Sequence, residues 1–366
     1  MFIQQKIKKT ILENAILFFI YKKTILKIKR HRLEKSKAFL NKKGKMSFFS
    51  IETILNKKEI ALSPKTIQDI IDCNLLYGFS VDEYVSFHLY EKDHWQRLSW
   101  LSDSYMDYLN ILCIGKNWKD VYDELRDKNK FYELAKDFFN RDVLKISHQT
   151  TSDEIRCFVD KHKSFIAKPL RGTMGGNTHI VNASDFCNLN CLIKHYVGDD
   201  FSEWIFEELI EQVPELSLWN PTSVNTIRIP SFRKESSFVV FKPFIRTGRK
   251  GMVVDNGGQG GIFASLDAEK GFICTNGANE NGEIFEKHPD SGITFMGWQV
   301  PLWQELIKLS EKIHKSLPWH HKYVAFDFAL TSKGWVLVEG NWGQFVCQQM
   351  SLNTGLRKGY EKLMLG

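Results

Sequence analysis

One stretch limits the possible folds more than any other, the run from Val324 to Asn341 (VAFDFALTSKGWVLVEGN). Two segments that alternate with a period of two flank Ser332, Lys333 and Gly334. A glycine in that position can take the left-handed backbone conformation that a three-residue hairpin loop requires. With such a loop Thr331 faces Trp335, Asp327 lies opposite Glu339, and Asn341 shares their face two residues further on. Phe326, Phe328, Leu330, Val336 and Val338 are then expected on the other face, toward a core. Two directly opposed carboxylates repel unless a cation stands between them. Carboxylate and amide oxygens are hard donors suited to Mg²⁺, above all where phosphates complete its shell. Asp327, Glu339 and Asn341 are therefore a candidate metal set, against the alternative of ordinary acids on a solvated face.

The segments before this hairpin favour short strands with interspersed helices. SFIAKPLRGTMGGNTHIV reads as strand, glycine loop, strand; SEWIFEELI as a strand ending in a polar turn; NTIRIPSF and SFVVFKPFIR as successive strands. DNGGQGGIFASLD reads as a glycine-rich loop entering a strand, and PLWQELIKLSEKIHKSL as an amphipathic helix. This order predicts an α+β fold and not a doubly wound parallel sheet. Residues 49–120 read as helices, with Ser63 as N-cap, Pro64 at the first helical position, Gly78 at the helix end, and Ser80 with Glu83 as a capping box. The 366 residues divide into a basic arm (1–48), a helical lead-in (49–120) and two further parts, 121–200 and 201–366.

Charge separates the arm from the rest. Residues 1–48 hold fourteen Lys/Arg against two Glu, a balance of +12, and the remaining chain carries −5. The basic character thus belongs to the arm, which argues against nucleic acid as the partner of the whole protein. Ile3, Ile7, Ile11, Ala15 and Phe18 recur at helical spacing, so the arm is expected to be an amphipathic helix. It could lie on an anionic membrane surface, remain solvated, or pack against the body. No apolar run reaches 18 residues, so no transmembrane helix is expected. The seven cysteines lack zinc-site spacing, and free thiols in a reducing cytoplasm are expected.

Three other motifs carry candidate chemistry. Lys168 ends an apolar strand and is followed by Gly172, Thr173, Gly175 and Gly176, a loop whose backbone could approach phosphate oxygens while the lysine neutralises them. The spacing matches neither a Walker loop nor a kinase loop. Glu207, Glu208, Leu209 and Ile210 end a strand where backbone groups could read an adenine edge, with the Glu215 carboxylate available for ribose hydroxyls. Arg228 alternates with Ile227 and Ile229 and would face an anion or an acid, and Arg246 and Asn256 could line the same cleft.

In this order the motifs resemble the ATP-grasp superfamily from about Asp127 to Asn341, with Lys128 in RDKNKF as a further element. NPTSVNTIRI, VVDNGGQGGIFASLD, KHPDSGITFMGWQVPLW and VAFDFALTSKGWVLVEGNWG resemble in particular the sugar-transfer-associated ATP-grasp proteins of bacterial polysaccharide assembly. The resemblance implies two α+β subdomains gripping ATP, a small one (121–200) and a large one (201–366), with two Mg²⁺ ions. It implies that Lys128, Lys168 and the Arg171–Gly176 loop meet the phosphates, and that Glu207–Ile210 form the adenine hinge. Glu215 would hold the ribose, although the hinge-to-Glu215 distance departs by one residue from that of D-alanine–D-alanine ligases. Asp327, Glu339 and Asn341 would bind Mg²⁺, and Arg228 would stabilise the transferring phosphoryl group. The implied reaction is carboxylate–amine ligation through an acyl phosphate on a surface polysaccharide or its precursor. A non-catalytic nucleotide-binding partner of a polysaccharide assembly complex and a sugar phosphotransferase are the alternatives. The expected location is cytoplasmic, at the inner face of the membrane. His179 and His288 are expected to be structural.

Overall fold

The arm is helical over most of its length, as α1 (Phe2–Glu13), α2 (Ala15–Lys23) and α3 (Ile25–Ser36). The computed structural model describes every residue except 1, 37, 42–43, 48–62, 172–176, 198–202, 236 and 344; for 2–5, 32–36, 38–41, 44–47 and 259 it describes the backbone alone. The chain divides into two units, Met1–Gly115 with Gln344–Gly366, and Lys116–Gly343.

In the first unit the arm is docked. Leu12, Tyr21 and Leu26 are buried together with Leu76, whereas Ile7 of the expected apolar row is 54% exposed. The last part of the arm is not helix. β1 (Ala38–Asn41) pairs antiparallel with β2 (Gly44–Ser47), a reversal that Gly44 favours over helix. The lead-in follows the expected caps. α4 (Pro64–Tyr77) starts at Ser63, whose side chain accepts from the Thr66 N–H, and ends at Gly78 with φ +84°. α5 (Val81–Ser86) opens with the reciprocal Ser80–Glu83 box. α6 (His94–Ser99) and α7 (Asp103–Ile114) complete this run, and the C-terminal helices Val346–Leu352 and Arg357–Leu365 belong to the same unit, not to the part spanning 201–343.

The second unit holds two antiparallel sheets. The helical run is broken at Asp127 into α8 (Trp118–Arg126) and α9 (Lys128–Ala135), because the Asp127 carboxylate caps the N–H groups of Asn129 and Lys130. β3 (Val143–Ile146), α10 (Ser152–Lys161), β4 (Ser164–Pro169), β5 (His179–Asn182), α11 (Leu189–Val197) and β6 (Trp204–Glu208) follow. The four strands form one sheet in the order β3-β6-β4-β5, so β6 joins this sheet although it lies beyond residue 200. Phe158, Phe165, Val181, Leu192 and Phe206 fill the layer between this sheet and its helices. Cys187 and Cys191 are joined beside α11, with Cα atoms 6.2 Å apart, a spacing that bonded cysteines commonly show. The other five cysteines form no disulfide.

After the short helix α12 (Pro214–Ser217) come β7 (Thr226–Arg233), β8 (Phe238–Val240), β9 (Phe244–Thr247), β10 (Ile262–Ser265), β11 (Gly277–Ala278) and β12 (Ile284–Phe285). SFVVFKPFIR gives two strands because Lys242 adopts φ +52° and Pro243 cannot donate to a ladder. α13 (Trp303–Ser316), β13 (Tyr323–Thr331) and β14 (Gly334–Asn341) close the unit. The second sheet runs β12-β11-β10-β9-β7-β13-β14, with β8 also on β7.

The last hairpin departs from the expected register twice, and the departures cancel. Thr331 pairs with Gly334 across a two-residue turn, with Gly334 at φ +100°, so Leu330 and not Thr331 faces Trp335. Val336 therefore pairs with Ala329, in the row of Asp327, and Leu337 takes the place expected for Val338, opposite Phe328. A bulge then leaves Val338 without an opposing residue and returns Asp327 to its position across from Glu339.

Candidate active site

Asp327 is the centre of a row that crosses three strands. Its ladder partners are Arg228 on β7 and Glu339 on β14. Thr226, two residues before Arg228, pairs with Arg246 on β9, which adds a second guanidinium to the same face. The row follows from strand periodicity, since residues two apart and residues directly opposed point to one side.

The Asp327 carboxylate is fully buried. Arg228 donates to it twice, from Nε and Nη2, each at 2.6 Å, and Arg246 Nη2 donates to Oδ2 at 2.7 Å. Burial alone would push this carboxyl up, but Arg228 and then Arg246 hold it down to about 2. Asn341 Nδ2 donates to Asp327 Oδ2 at 3.2 Å and to Glu339 Oε1 at 3.1 Å. Glu339 keeps 34% of its side chain exposed and stands 3.8 Å from Arg228 Nη2. Gly340, between Glu339 and Asn341, is fixed by α9: an added Cβ would lie 2.2 Å from Phe131 Cζ.

The three oxygen-bearing side chains are thus brought together, and they fit a hard divalent cation. A carboxylate offers about four lone-pair positions. On Asp327 three of the four donors use Oδ2, which leaves Oδ1 with the Arg228 Nε contact. The Asn341 amide hydrogens now bridge the two acids; turning the amide would present its oxygen instead. Arg246 also donates to Thr226 Oγ1 at 3.1 and 3.0 Å and to Asn256 Oδ1 at 3.3 Å, so Arg246 and Asn256 touch. Asp255, which the sequence reading passed over beside Asn256, is buried and accepts from the Thr226 N–H and hydroxyl. Burial pushes its carboxyl up against the opposing pull of Arg246.

A second ionic cluster lies on the four-stranded sheet. Glu207 is buried, with Lys168 Nζ at 2.9 Å and Arg141 Nη2 at 2.6 Å. Burial pushes the Glu207 carboxyl up, and Lys168 and Arg141 outweigh it, drawing the group down to about 2. Lys128, at the first position of α9, donates to the Pro169 carbonyl at 3.1 Å. Burial lowers its affinity for a proton, while Glu339 pulls the other way, so the two clusters feel one another. The Lys128 N–H reaches the Leu170 carbonyl, and Arg171 bonds Asp123 and Asp127, so α8 and α9 are attached just ahead of the glycine loop. Gly172, Thr173, Gly175 and Gly176 themselves lie outside the described residues.

The hinge reading needs correction. Glu207 pairs with Val143 on one side and Ile166 on the other, and Glu208 pairs with Phe165. The Glu208 N–H goes to the Asp142 carbonyl and its carboxylate accepts from the Asp142 N–H. Those backbones belong to the sheet; Leu209 and Ile210, just past β6, are the first residues outside the ladder. Glu215 is exposed in the first turn of α12 and joins neither cluster. His288 is buried with Nε2 on the Gly248 carbonyl, and His179 bonds the Tyr196 hydroxyl, as structural histidines do.

Arg141 is another residue that sequence reasoning missed. Besides Glu207 it donates to the Leu337 carbonyl at 2.6 Å and the Val338 carbonyl at 3.1 Å. A bulge takes carbonyls out of the ladder, and a buried carbonyl needs a donor. Arg141 meets that need and joins the two sheets. Its position, just ahead of β3, carries no motif.

A family model described as sugar-transfer associated ATP-grasp matches residues 114–363. Among solved structures the chain is similar to D-alanyl-alanine synthetase A from Vibrio cholerae O1 biovar eltor str. N16961 (12% identity, TM-score 0.38, covering 66% of each chain). It is similar also to the VanG D-Ala:D-Ser ligase from Enterococcus faecalis (12%, 0.39, 66% of this chain and 61% of that one). A third is a Chryseobacterium gregarium RiPP-associated ATP-grasp ligase in complex with ADP and a leader and core peptide (14%, 0.37, 67% and 60%). The chain spans about two thirds of the length of these proteins, or less. No curated protein matches the chain.

Proposed function

Since the chain belongs to the sugar-transfer associated ATP-grasp family, we propose that it is an ATP- and Mg²⁺-dependent ligase joining a carboxylate to an amine through an acyl phosphate, in the building of a surface polysaccharide or its precursor. The observation that carries this reading is the row Arg228–Asp327–Glu339 with Asn341 beside it and Lys128 and Lys168 close by.

In this reading a substrate carboxylate oxygen attacks the γ-phosphorus, the bond to the β-γ bridging oxygen breaks, and ADP leaves. An amine nitrogen then attacks the acyl carbon, the carbon–oxygen bond to phosphate breaks, and the amine proton leaves to solvent. Bound at Asp327, Glu339 and Asn341, Mg²⁺ would supply charge neutralisation of the phosphates. Lys128 and Lys168 hold the triphosphate by charge. Arg228 is kept in one orientation by its two bonds to Asp327, so its guanidinium needs no reorganisation as charge develops on the transferring group. Leu209 and Ile210 offer backbone groups to the adenine edge.

Incubation with ATP, an amine and a uronic or amino acid labelled with ¹⁸O in its carboxylate tests the mechanism. The label is expected in inorganic phosphate. ADP release with a phosphorylated sugar and no inorganic phosphate would establish the phosphotransferase in its place, and the absence of ADP release across the panel would favour the non-catalytic partner.

We further propose that the arm holds the protein at an anionic membrane surface. Among the described residues no helix is long and apolar enough to cross a membrane. On α2, however, Phe18 and Tyr21 turn inward while Ile16 (72%), Phe19 (56%) and Ile20 (53%) are exposed on the opposite side. Lys22 and Lys23 follow directly, and residues 14–33 contain no acid. A helix that is apolar on both sides needs a second apolar environment, and a basic border suits anionic headgroups.

A further inference from the structure

Three side chains that the nucleotide reading does not use bring their ligand atoms to one point. Glu124 lies on α8; His320 and His321 directly precede β13. One ligand atom from each of the three lies within 4.8 Å of the other two. Glu124 Oε2, His320 Nε2 and His321 Nε2 are shielded from solvent, and none has a hydrogen-bond partner. Buried polar atoms are nearly always satisfied, so three orphans in one place need an explanation.

The tautomer of His321 sharpens it. The side chain is fully buried, and its Nδ1 lies 3.2 Å from the Pro318 carbonyl oxygen. A carbonyl only accepts, so Nδ1 carries a hydrogen, and in the neutral ring Nε2 presents a lone pair. That lone pair faces Glu124 Oε2 at 2.9 Å. Two lone pairs so placed repel unless a positive centre lies between them. A single proton could serve two of the three atoms and would leave His320 Nε2 unsatisfied. The neighbouring rings of His320 and His321 are stacked, with centroids 5.0 Å apart and planes 30° apart, so a shared ligand can meet both.

We propose that Glu124, His320 and His321 bind a transition-metal dication of the zinc type, at a site separate from the oxygen set around Asp327. Two imidazoles and a carboxylate suit Zn²⁺ and its neighbours in the first row, whereas Mg²⁺ takes oxygen donors. The Pro318 carbonyl acts on His321 as outer groups do on metal-bound histidines, fixing the tautomer and the ring plane. Burial works in the same direction, holding the His321 imidazole neutral by drawing it down to about 4. A second cluster, Asp142, His162 and Glu208, does not qualify. There Asp142 Oδ2 is taken by Lys161 and His162, and Glu208 by the Asp142 N–H.

The placement assigns the metal a positioning role. α8 leads into Asp127 and Lys128, and His321 stands six residues before Asp327 on the same chain segment. A metal bond from Glu124 to His321 ties the helix that delivers Lys128 to the strand that delivers Asp327. This inference does not depend on the ligase reading.

The full chain, untagged and treated with a chelator, is titrated with Zn²⁺ and with Co²⁺ in buffer containing Mg²⁺. One equivalent of Zn²⁺ is expected to bind and to raise the thermal midpoint, and Co²⁺ is expected to give the visible absorption of a four-coordinate site. His320→Gln, which changes a half-buried residue, and Glu124→Gln should each weaken Zn²⁺ binding at least tenfold; His88→Gln, at an exposed histidine elsewhere, should not. Absence of a stoichiometric equivalent in the wild type would overturn the site. So would equal affinity in His320→Gln, or a thermal midpoint that responds to pH but not to Zn²⁺, which would assign the cluster to a proton alone.

Discussion

Replacing Glu207 by Gln removes the charge between Lys168 and Arg141 and changes little else in shape. The size of the effect follows from the carboxyl's proton affinity. Its ordinary value is 4.5 and the two cations draw it down to about 2 in the folded protein. A depressed carboxyl contributes stability that is fully present above its unfolded value and is lost as pH falls through the folded one. The difference corresponds to about 3 kcal/mol at pH 7, and to about 1 kcal/mol at pH 3. The group is fully buried, so screening by solvent takes little away. Two cations left without their acid add to the penalty, and breaking buried pairs generally costs about 3–5 kcal/mol. Urea unfolding of wild type and Glu207→Gln, followed by a probe on Lys116–Gly343 at several pH values, measures the difference. A loss of at least about 3 kcal/mol at pH 7 is expected, with the part due to linkage shrinking toward pH 3. A variant within about 1 kcal/mol of wild type at pH 7, or a gap constant from pH 7 to pH 3, would refute the reasoning.

Lys168→Ala is expected to fold and to lower ATP affinity at least tenfold by calorimetry, because a fixed charge near the triphosphate is lost. Glu339→Gln should leave the melting temperature within a few degrees of wild type and abolish most Mg²⁺-dependent ADP release, since Glu339 is partly exposed. Asp327→Asn should melt well below wild type, because Arg228 and Arg246 both lose their acid. Full-length protein should sediment with anionic vesicles at low salt, and Ile16→Ser with Phe19→Ser should release it without changing stability; equal sedimentation of both proteins would exclude the α2 face. Removing residues 1–45 is a poorer test, since it uncovers Leu76.

Much of the site was legible because strand periodicity is a two-valued code. Asp327 opposite Glu339, with Arg228 alternating among isoleucines, needs only that residues two apart share a face. The expected loop was one residue too long and the bulge at Val338 was not foreseen; the pairing survived because the two offsets are equal and opposite. A bulge has no composition of its own, so nothing in WVLVEGN announces it. Glu207 read as a hinge because it ends an apolar run, whereas its partners, Lys168 and Arg141, stand 39 and 66 positions away in a chain with 50 basic residues. Pairings at such separations have no local signature. The caps at Ser63, Ser80 and Glu83 were legible for the opposite reason, since they act over three residues.

The extra residue at Val338 works as a socket. Asp327 and Glu339 would still face one another in a hairpin lacking Val338, since Leu337 would then be followed at once by Glu339 in regular register. What would vanish is the pair of turned-out carbonyls into which Arg141 is plugged. One position therefore governs how firmly the four-stranded sheet is latched to the acid-bearing one, while the acids stay paired. Deleting it offers a way to loosen the latch and leave the chemistry standing.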